Sequence, residues 1–575
     1  MSPWLFALSM LGCAAAAEDL PSEGTVCERA DTCFEFCVCA GSGPEVCAAA
    51  CGSDSAGVVG NGANGGGGFP PGGGGQSGGG AGGSGSAASG GGSSSGGSAS
   101  GGAGGAGSVN GAGGSTGGTT GNGFGLAADL GISQIALYQG VKVTLVQGGA
   151  PVASTNAPVV AARPAMLRLF VQPKTGFQAR EIVARLQLDG KSLEKKQLVS
   201  AASTDDANAS TFNFDVAPED ITASTQFSVT LQESSTSAPS GDTSSARHPA
   251  QGLAPLGAKT AGGDLDVVVV PMIVGGRSPD TSATRIEQYK KRLMQLYPVP
   301  AVKVSVHAPV TYPSSISGKS GSAWNAALDF LYDLRGADAP AKDVYYYGVF
   351  APTDGFSEYC SGGCIAGLSA LSPAGDVSTR GSIGLGFFAQ NGSFSSEDTM
   401  AHELGHAHGL PHAPCGTSDA GAFPYAGAKI GAWGHDITSG QLFPPTSRVD
   451  VMSYCDPTWI SDFNYAKLFS RVTFVHSAAS FEVDPDRAPG RFRVLWIDAE
   501  GALAWGRTRV LADPPLGEPI AVSLRGVGGR MIGRATGFGY ELSEGGKLVF
   551  VRESSLRNAV TLETDSGRTL PLPTH

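Results

Sequence analysis

Charge is scarce in this sequence. Asp, Glu, Lys and Arg make up 15% of its 575 residues, and the formal balance is −12. A protein that grips nucleic acid needs a basic patch to displace counterions from phosphates, and no basic excess is present. Beyond the first residues, no stretch is long and apolar enough to span a bilayer as a helix. Histidine is also sparse, with 9 in the chain, so any clustering of it carries weight. Glycine is the opposite case: there are 87, and they are concentrated. Residues 55–124 are nearly all Gly, Ser, Ala, Asn and Thr. Such a segment has too little apolar surface to offset the entropy of ordering. It also lacks the three-residue period of a collagen-like helix. It reads as a disordered, flexible Gly/Ser-rich linker with an end-to-end distance of roughly 45 Å.

Residues 1–17 read as a signal peptide. Their apolar run, 3–11, has the length of a signal core and is too short to cross a membrane. Leu11-Gly12-Cys13 resembles a bacterial lipobox, which makes Cys13 a lipidation candidate and a point of membrane attachment. Two features depart from those patterns: no Lys or Arg precedes the run, and Met10 stands where a lipobox usually has Leu. The expected location is secreted or cell-surface, as an outer-membrane-anchored bacterial lipoprotein if Cys13 is lipidated. Residues 18–54 hold Cys27, Cys33, Cys37, Cys39, Cys47 and Cys51. In an exported chain so short a segment is expected to be a disulfide knot, because it cannot bury a core. Six cysteines allow 15 pairings, and sequence does not choose among them.

The rest of the chain is patterned as three modules. Over 125–261, Val141, Val143 and Leu145 alternate with polar neighbours, as do Leu167, Leu169 and Val171, then Ala184, Leu186 and Leu188, then Phe227, Val229 and Leu231. Period-two runs separated by turn residues predict an accessory β-sandwich. Over 262–472 the pattern changes. Residues 265–271 form a continuous apolar run, as in a strand covered on both faces. Ile286, Tyr289, Leu293 and Leu296 recur at helical spacing, as do Trp324, Ala327, Leu328 and Leu331, and strands are expected at 302–306, 343–350 and 383–388. That order predicts an α/β (α+β) layer. Over 473–575 strands return, with a hairpin turn at 498–501, giving a second β-sandwich-like domain, also read as accessory.

The chemistry is concentrated in residues 402–412, His-Glu-Leu-Gly-His-Ala-His-Gly-Leu-Pro-His, which hold four of the histidines. On a helix His402 and His406 share one face and can reach one metal ion. Gly409 can end the helix in a left-handed turn, bringing His412 back as a third ligand. Three neutral nitrogens with one open position describe a catalytic zinc site rather than a closed structural one. On zinc, water ionises near pH 7. Glu403, beside the first ligand, is the residue to accept that proton as general base and return it to the leaving amine. Ser395 and Asp398 form a capping pair for this helix. His408, two residues from His406, points off the metal face and is either solvent-exposed or structural. His435 either lines a substrate cleft or is a loop histidine with no such role.

The segment 398–465 resembles the core of a metzincin zinc peptidase. The resemblance rests on His402, Glu403, His406, Gly409 and His412, and on Asp450-Val451-Met452-Ser453-Tyr454-Cys455, which is similar to the Met-turn of that clan. It implies a catalytic domain over 262–472 with a twisted mixed sheet and an active-site helix, one Zn2+, and protein or glycoprotein substrates. Met452 is then a hydrophobic floor beneath the histidines. Tyr454 either approaches the metal and helps bind the oxyanion or packs as a buried aromatic under the site. The flanking modules suggest a secreted mucin-cutting or pappalysin-like branch. A Cys415–Cys455 bond would staple the two metal-site loops together, leaving Cys360 and Cys364 to pair locally; four cysteines allow three pairings. Two other functions fit the same residues: a surface adhesin on a catalytically weak metzincin scaffold, and a zinc amidase acting on cell-wall peptides.

Overall fold

The computed structural model describes residues 124–236, 239–387, 394–417, 422–477 and 487–573. The expectations for residues 1–123, Cys13 and the six clustered cysteines among them, lie outside the described residues.

Alternating side chains build the first module as two antiparallel sheets. One runs in the order Ala150–Pro151, Lys142–Gln147, Leu130–Tyr138, Ala165–Pro173, Phe212–Val216. The other is centred on Arg180–Leu188 between Gln226–Glu233 and Lys191–Val199. In Arg180–Leu188 the residues Ile182, Ala184, Leu186 and Leu188 are buried and the ones between them are not. Such alternation lets this sheet give one face to a shared core and the other to water, whereas the first sheet also buries Ala136, Tyr138, Met166 and Phe170 on its outer face, against Trp433 and Leu442. The edge strand Lys191–Val199 exposes Glu194, Lys195 and Lys196, charges that discourage pairing with another chain.

The middle region is a mixed sheet ordered Val302–Val306, Leu265–Ile273, Tyr345–Phe350, Gly381–Leu385, Gly367–Ser369. The first four strands are mutually parallel, and the short last one pairs antiparallel. Parallel strands need crossovers, here supplied by the helices Ala283–Leu296 and Gly321–Asp338. One face of the sheet carries Val267, Val269, Tyr347 and Val349, packed with Tyr289, Leu293, Met400 and Leu404 and continuous with the core of the first module. The opposite face carries Val270, Met272, Tyr346 and Ile383. It packs on Trp324, Leu328 and Leu331, and these meet Phe492, Trp496, Phe538 and Phe550 of the C-terminal sheet. The apolar run at 265–271 therefore has the cause expected of it: both faces are covered.

The C-terminal module is one seven-stranded antiparallel sheet rather than two stacked sheets. One of its faces covers the helix Gly321–Asp338, while Leu495, Val522, Val549 and Val551 form a separate core on the other. A buried ion pair between Arg509 and Asp329 ties the two together.

Candidate metal centre

The residues 402–412 begin on the helix Ser396–Ala407. Ser395 caps it, its side-chain oxygen accepting from the Asp398 amide at 3.0 Å. Asp398 turns outward to Arg292 at 2.5 Å instead of closing the reciprocal arm of a capping box. Of the helix residues, Met400 to Ala407 are all buried, so its position is set by packing on the sheet. Gly409 leaves the helix with φ +80°, and its amide donates to His406 O at 2.7 Å. A Cβ there would also lie 2.7 Å from Ser372 O, so both conformation and space require glycine.

This turn brings the three histidines together. Their ligand atoms all lie within 4.8 Å of one another. His406 Nε2 is 3.0 Å from His402 Nε2 and 3.2 Å from His412 Nε2. The opposite nitrogens are engaged: His402 Nδ1 contacts Val451 O, and His406 Nδ1 contacts Leu410 O, each at 2.7 Å. A carbonyl only accepts, so both Nδ1 atoms carry the proton and both Nε2 atoms present bare lone pairs. Two bare lone pairs 3.0 Å apart repel unless a cation lies between them. Tetrahedral zinc with Zn–N near 2.0–2.1 Å would hold its nitrogens about 3.3 Å apart, so this donor set fits that ion. Burial, with the neighbouring imidazoles, drives His406 well below the usual histidine range and His402 to about 4, keeping both neutral as ligands must be.

Met452 is fully buried and packs against Gly405 on the underside of the helix, where a Cβ would lie 3.1 Å from its Cε. The turn carrying it is organised by the buried carboxylate of Asp450. That carboxylate accepts from the Met452 amide at 2.8 Å, the Ser461 amide at 2.9 Å and Asn464 Nδ2 at 2.9 Å. Cys415 and Cys455 are disulfide-bonded, as are Cys360 and Cys364.

Glu403 is buried at the same cleft, a cavity of about 720 Å³ that reaches from His402 past Tyr454 to Arg292 and Trp459. Its carboxylate is raised well above the usual range by burial and then by the nearby Glu544, partly offset by donation from Ser543. Ser543 Oγ donates to Glu403 Oε2 at 3.2 Å. Gly367, on the last strand of the sheet, presses on the other side, where a Cβ would come within 2.5 Å of Glu403 Cγ. Tyr454 is 47% exposed, so it is not an aromatic buried under the site. Its ring lies 4.8 Å from that of His412, and its hydroxyl donates to Glu544 Oε1 at 2.9 Å.

At two histidines one of the two expected alternatives holds. His408 is buried, not solvent-exposed: it stacks on Tyr345 with ring centroids 4.3 Å apart and donates from Nδ1 to Leu404 O. His435 is buried on the short strand Gly434–His435 against Tyr138, while the neighbouring Asp436 lines the cleft. Sequence reasoning missed Gly367, Ser543 and Glu544. The last two belong to the module read as accessory, and no local motif marks them.

The Peptidase M66 family profile matches residues 369–458. Over 203 residues the chain is 29% identical to Dictomallein of Burkholderia mallei (strain SAVP1) and of Burkholderia pseudomallei (strain 668), covering 33% of this chain and 25% of each relative. It is 38% identical over 90 residues to a Dictomallein-like protein of Hahella chejuensis, 14% of each chain. The chain thus spans about a quarter of the length of the Burkholderia relatives it matches. The family match and the three-histidine cluster together support a metallopeptidase site.

Proposed function

We propose that this chain is an exported, zinc-dependent metalloendopeptidase of metzincin type, acting on extracellular proteins or glycoproteins. The observation that carries this reading is the convergence of three Nε2 atoms beside the Glu403 carboxylate in an open cleft. Bound there, zinc would supply Lewis acidity, ionising water near pH 7 and polarising the scissile carbonyl. His402, His406 and His412 would hold it, with Val451 O and Leu410 O fixing the rings of the first two. Glu403 takes the proton from the attacking water and passes it to the departing amine. Tyr454, at the rim beside His412, can donate to the developing oxyanion by turning its one proton away from Glu544 Oε1. An adhesin would need the fold but not the base, so the retention of Glu403 beside the ligands favours turnover.

The test uses the purified full chain. Casein hydrolysis should be abolished by a chelator and restored by zinc. Glu403→Gln should retain the metal and lose about 10² to 10⁴ in kcat, the usual share of a general base. Wild-type turnover in that variant refutes the role. Digestion of isolated cell wall in preference to denatured protein would favour the amidase reading instead.

A further inference from the structure

The turn joining the strands Met531–Glu541 and Lys547–Arg552 belongs to the C-terminal sheet, yet its tip lies in the cleft. The tip is clamped to the last strand of the catalytic sheet. Ser543 N donates to Ser369 O at 2.9 Å, Ser369 N donates to Ser543 Oγ at 3.0 Å, and Leu371 N donates to Glu541 O at 2.8 Å. Gly545 and Gly546 follow with φ +83° and +82°. A Cβ on Gly546 would come within 2.8 Å of the Asp498 carbonyl carbon, so the path of the turn has little slack. From this fixed base two side chains reach the site. The Ser543 hydroxyl, already an acceptor for Ser369, spends its proton on Glu403. The half-buried Glu544 accepts from the hydroxyl of Tyr454, a ring otherwise half-exposed at the rim.

We propose that the Ser543–Glu544 turn is a working part of the active site, with Ser543 positioning the Glu403 carboxylate and Glu544 positioning the Tyr454 phenol for peptide hydrolysis. This rests on the peptidase reading above. The C-terminal module then supplies two positioning residues, and a clamp on the sheet edge alone would not require the Glu544 side chain.

The experiment uses the full chain, with zinc content, kcat and KM measured for Glu544→Ala, Glu544→Gln, Tyr454→Phe and the Ala/Phe double variant. Glu544→Ala should lower kcat roughly ten- to a hundredfold with KM within about twofold and zinc content unchanged, as for loss of an outer positioning contact. Glu544→Gln, whose carbonyl accepts the same hydrogen bond, should recover most of that loss. The double variant should be no slower than Tyr454→Phe alone, because both substitutions remove one interaction. Fluorine NMR of metal-free protein labelled with meta-fluorotyrosine reads the contact without turnover: the resonance missing from Tyr454→Phe should move in Glu544→Ala. An active wild type whose kcat and Tyr454 resonance both ignore Glu544→Ala overturns this inference and leaves the peptidase reading intact. A further tenfold loss from Glu544→Ala in the Tyr454→Phe background also overturns it. An inert wild type overturns both readings.

Discussion

A single methyl group at residue 367 should slow the enzyme without emptying its metal site. Gly367 sits on the strand Gly367–Ser369, and a Cβ there would lie 2.5 Å from Cγ and 2.6 Å from Cδ of Glu403. Side-chain Cβ atoms essentially never approach closer than 3.0 Å, so one partner must give about 0.5 Å, and about 0.9 Å to reach an ordinary 3.4 Å contact. The strand cannot easily retreat. It is paired through Gly384, whose own Cβ would collide with the hydroxyl of Tyr347. Glu403 must therefore move, disturbing the hydrogen bond it accepts from Ser543. A displacement near 1 Å at a reacting group costs about 10²-fold in rate, or about 2.7 kcal/mol of barrier. Gly367→Ala should thus lower kcat on a casein-derived peptide about a hundredfold, with zinc content at wild-type level because no histidine is touched. Gly336→Ala is the control: it lies in the helix Gly321–Asp338 with open space around it, and should leave kcat alone while stabilising by up to about 1 kcal/mol. A Gly367→Ala enzyme within twofold of wild type would refute the idea that the strand fixes the carboxylate.

Three other outcomes follow from the geometry. Replacing Cys415 and Cys455 with serine opens a loop spanning 40 residues and should destabilise the region by about 4 kcal/mol in the chain-entropy account, seen as a lower melting temperature; an unchanged one would refute it. Burial holds His408 near 4, below its unfolded value, so the unfolded chain binds the extra proton first; stability present above about pH 6.5 is lost as pH falls toward 4. His408→Phe, which keeps the stack on Tyr345, should flatten that part of the pH–melting curve, and an unchanged slope would count against it. Gly409→Ala should weaken zinc binding, measured by competition with a chromogenic chelator, because the left-handed turn that returns His412 is strained by a Cβ that also meets Ser372 O; equal affinity would disprove the argument.

The converging histidines were legible because the information is local. Three ligands, the base and the turn glycine fall within eleven consecutive residues, and helical periodicity alone gathers the first two. What escaped was long-range. Ser543 and Glu544 lie 140 and 90 residues from the groups they touch, on a turn whose composition looks like any other. The strand Gly367–Ser369 is too short to show a period. Helical spacing placed His408 off the metal face, but could not tell water from Tyr345 and Tyr297, which come from a distant strand and another helix's end. The same limit applies to the β-modules: alternation says that one face is buried, not that the C-terminal sheet would find its partner in the helix Gly321–Asp338.

Arg163 bears on how this protein can be dissected. Its guanidinium is completely buried and donates to the carbonyls of Gln139, Met294 and Val299, the first within its own module and the other two across the boundary drawn at residue 262. A recombinant fragment trimmed to 262–472 would leave those two oxygens without their donor and uncover the apolar side of the helix Gly321–Asp338 that meets Phe492 and Phe550. The borders visible in the amino-acid pattern are changes of texture and not seams along which the polypeptide can be cut.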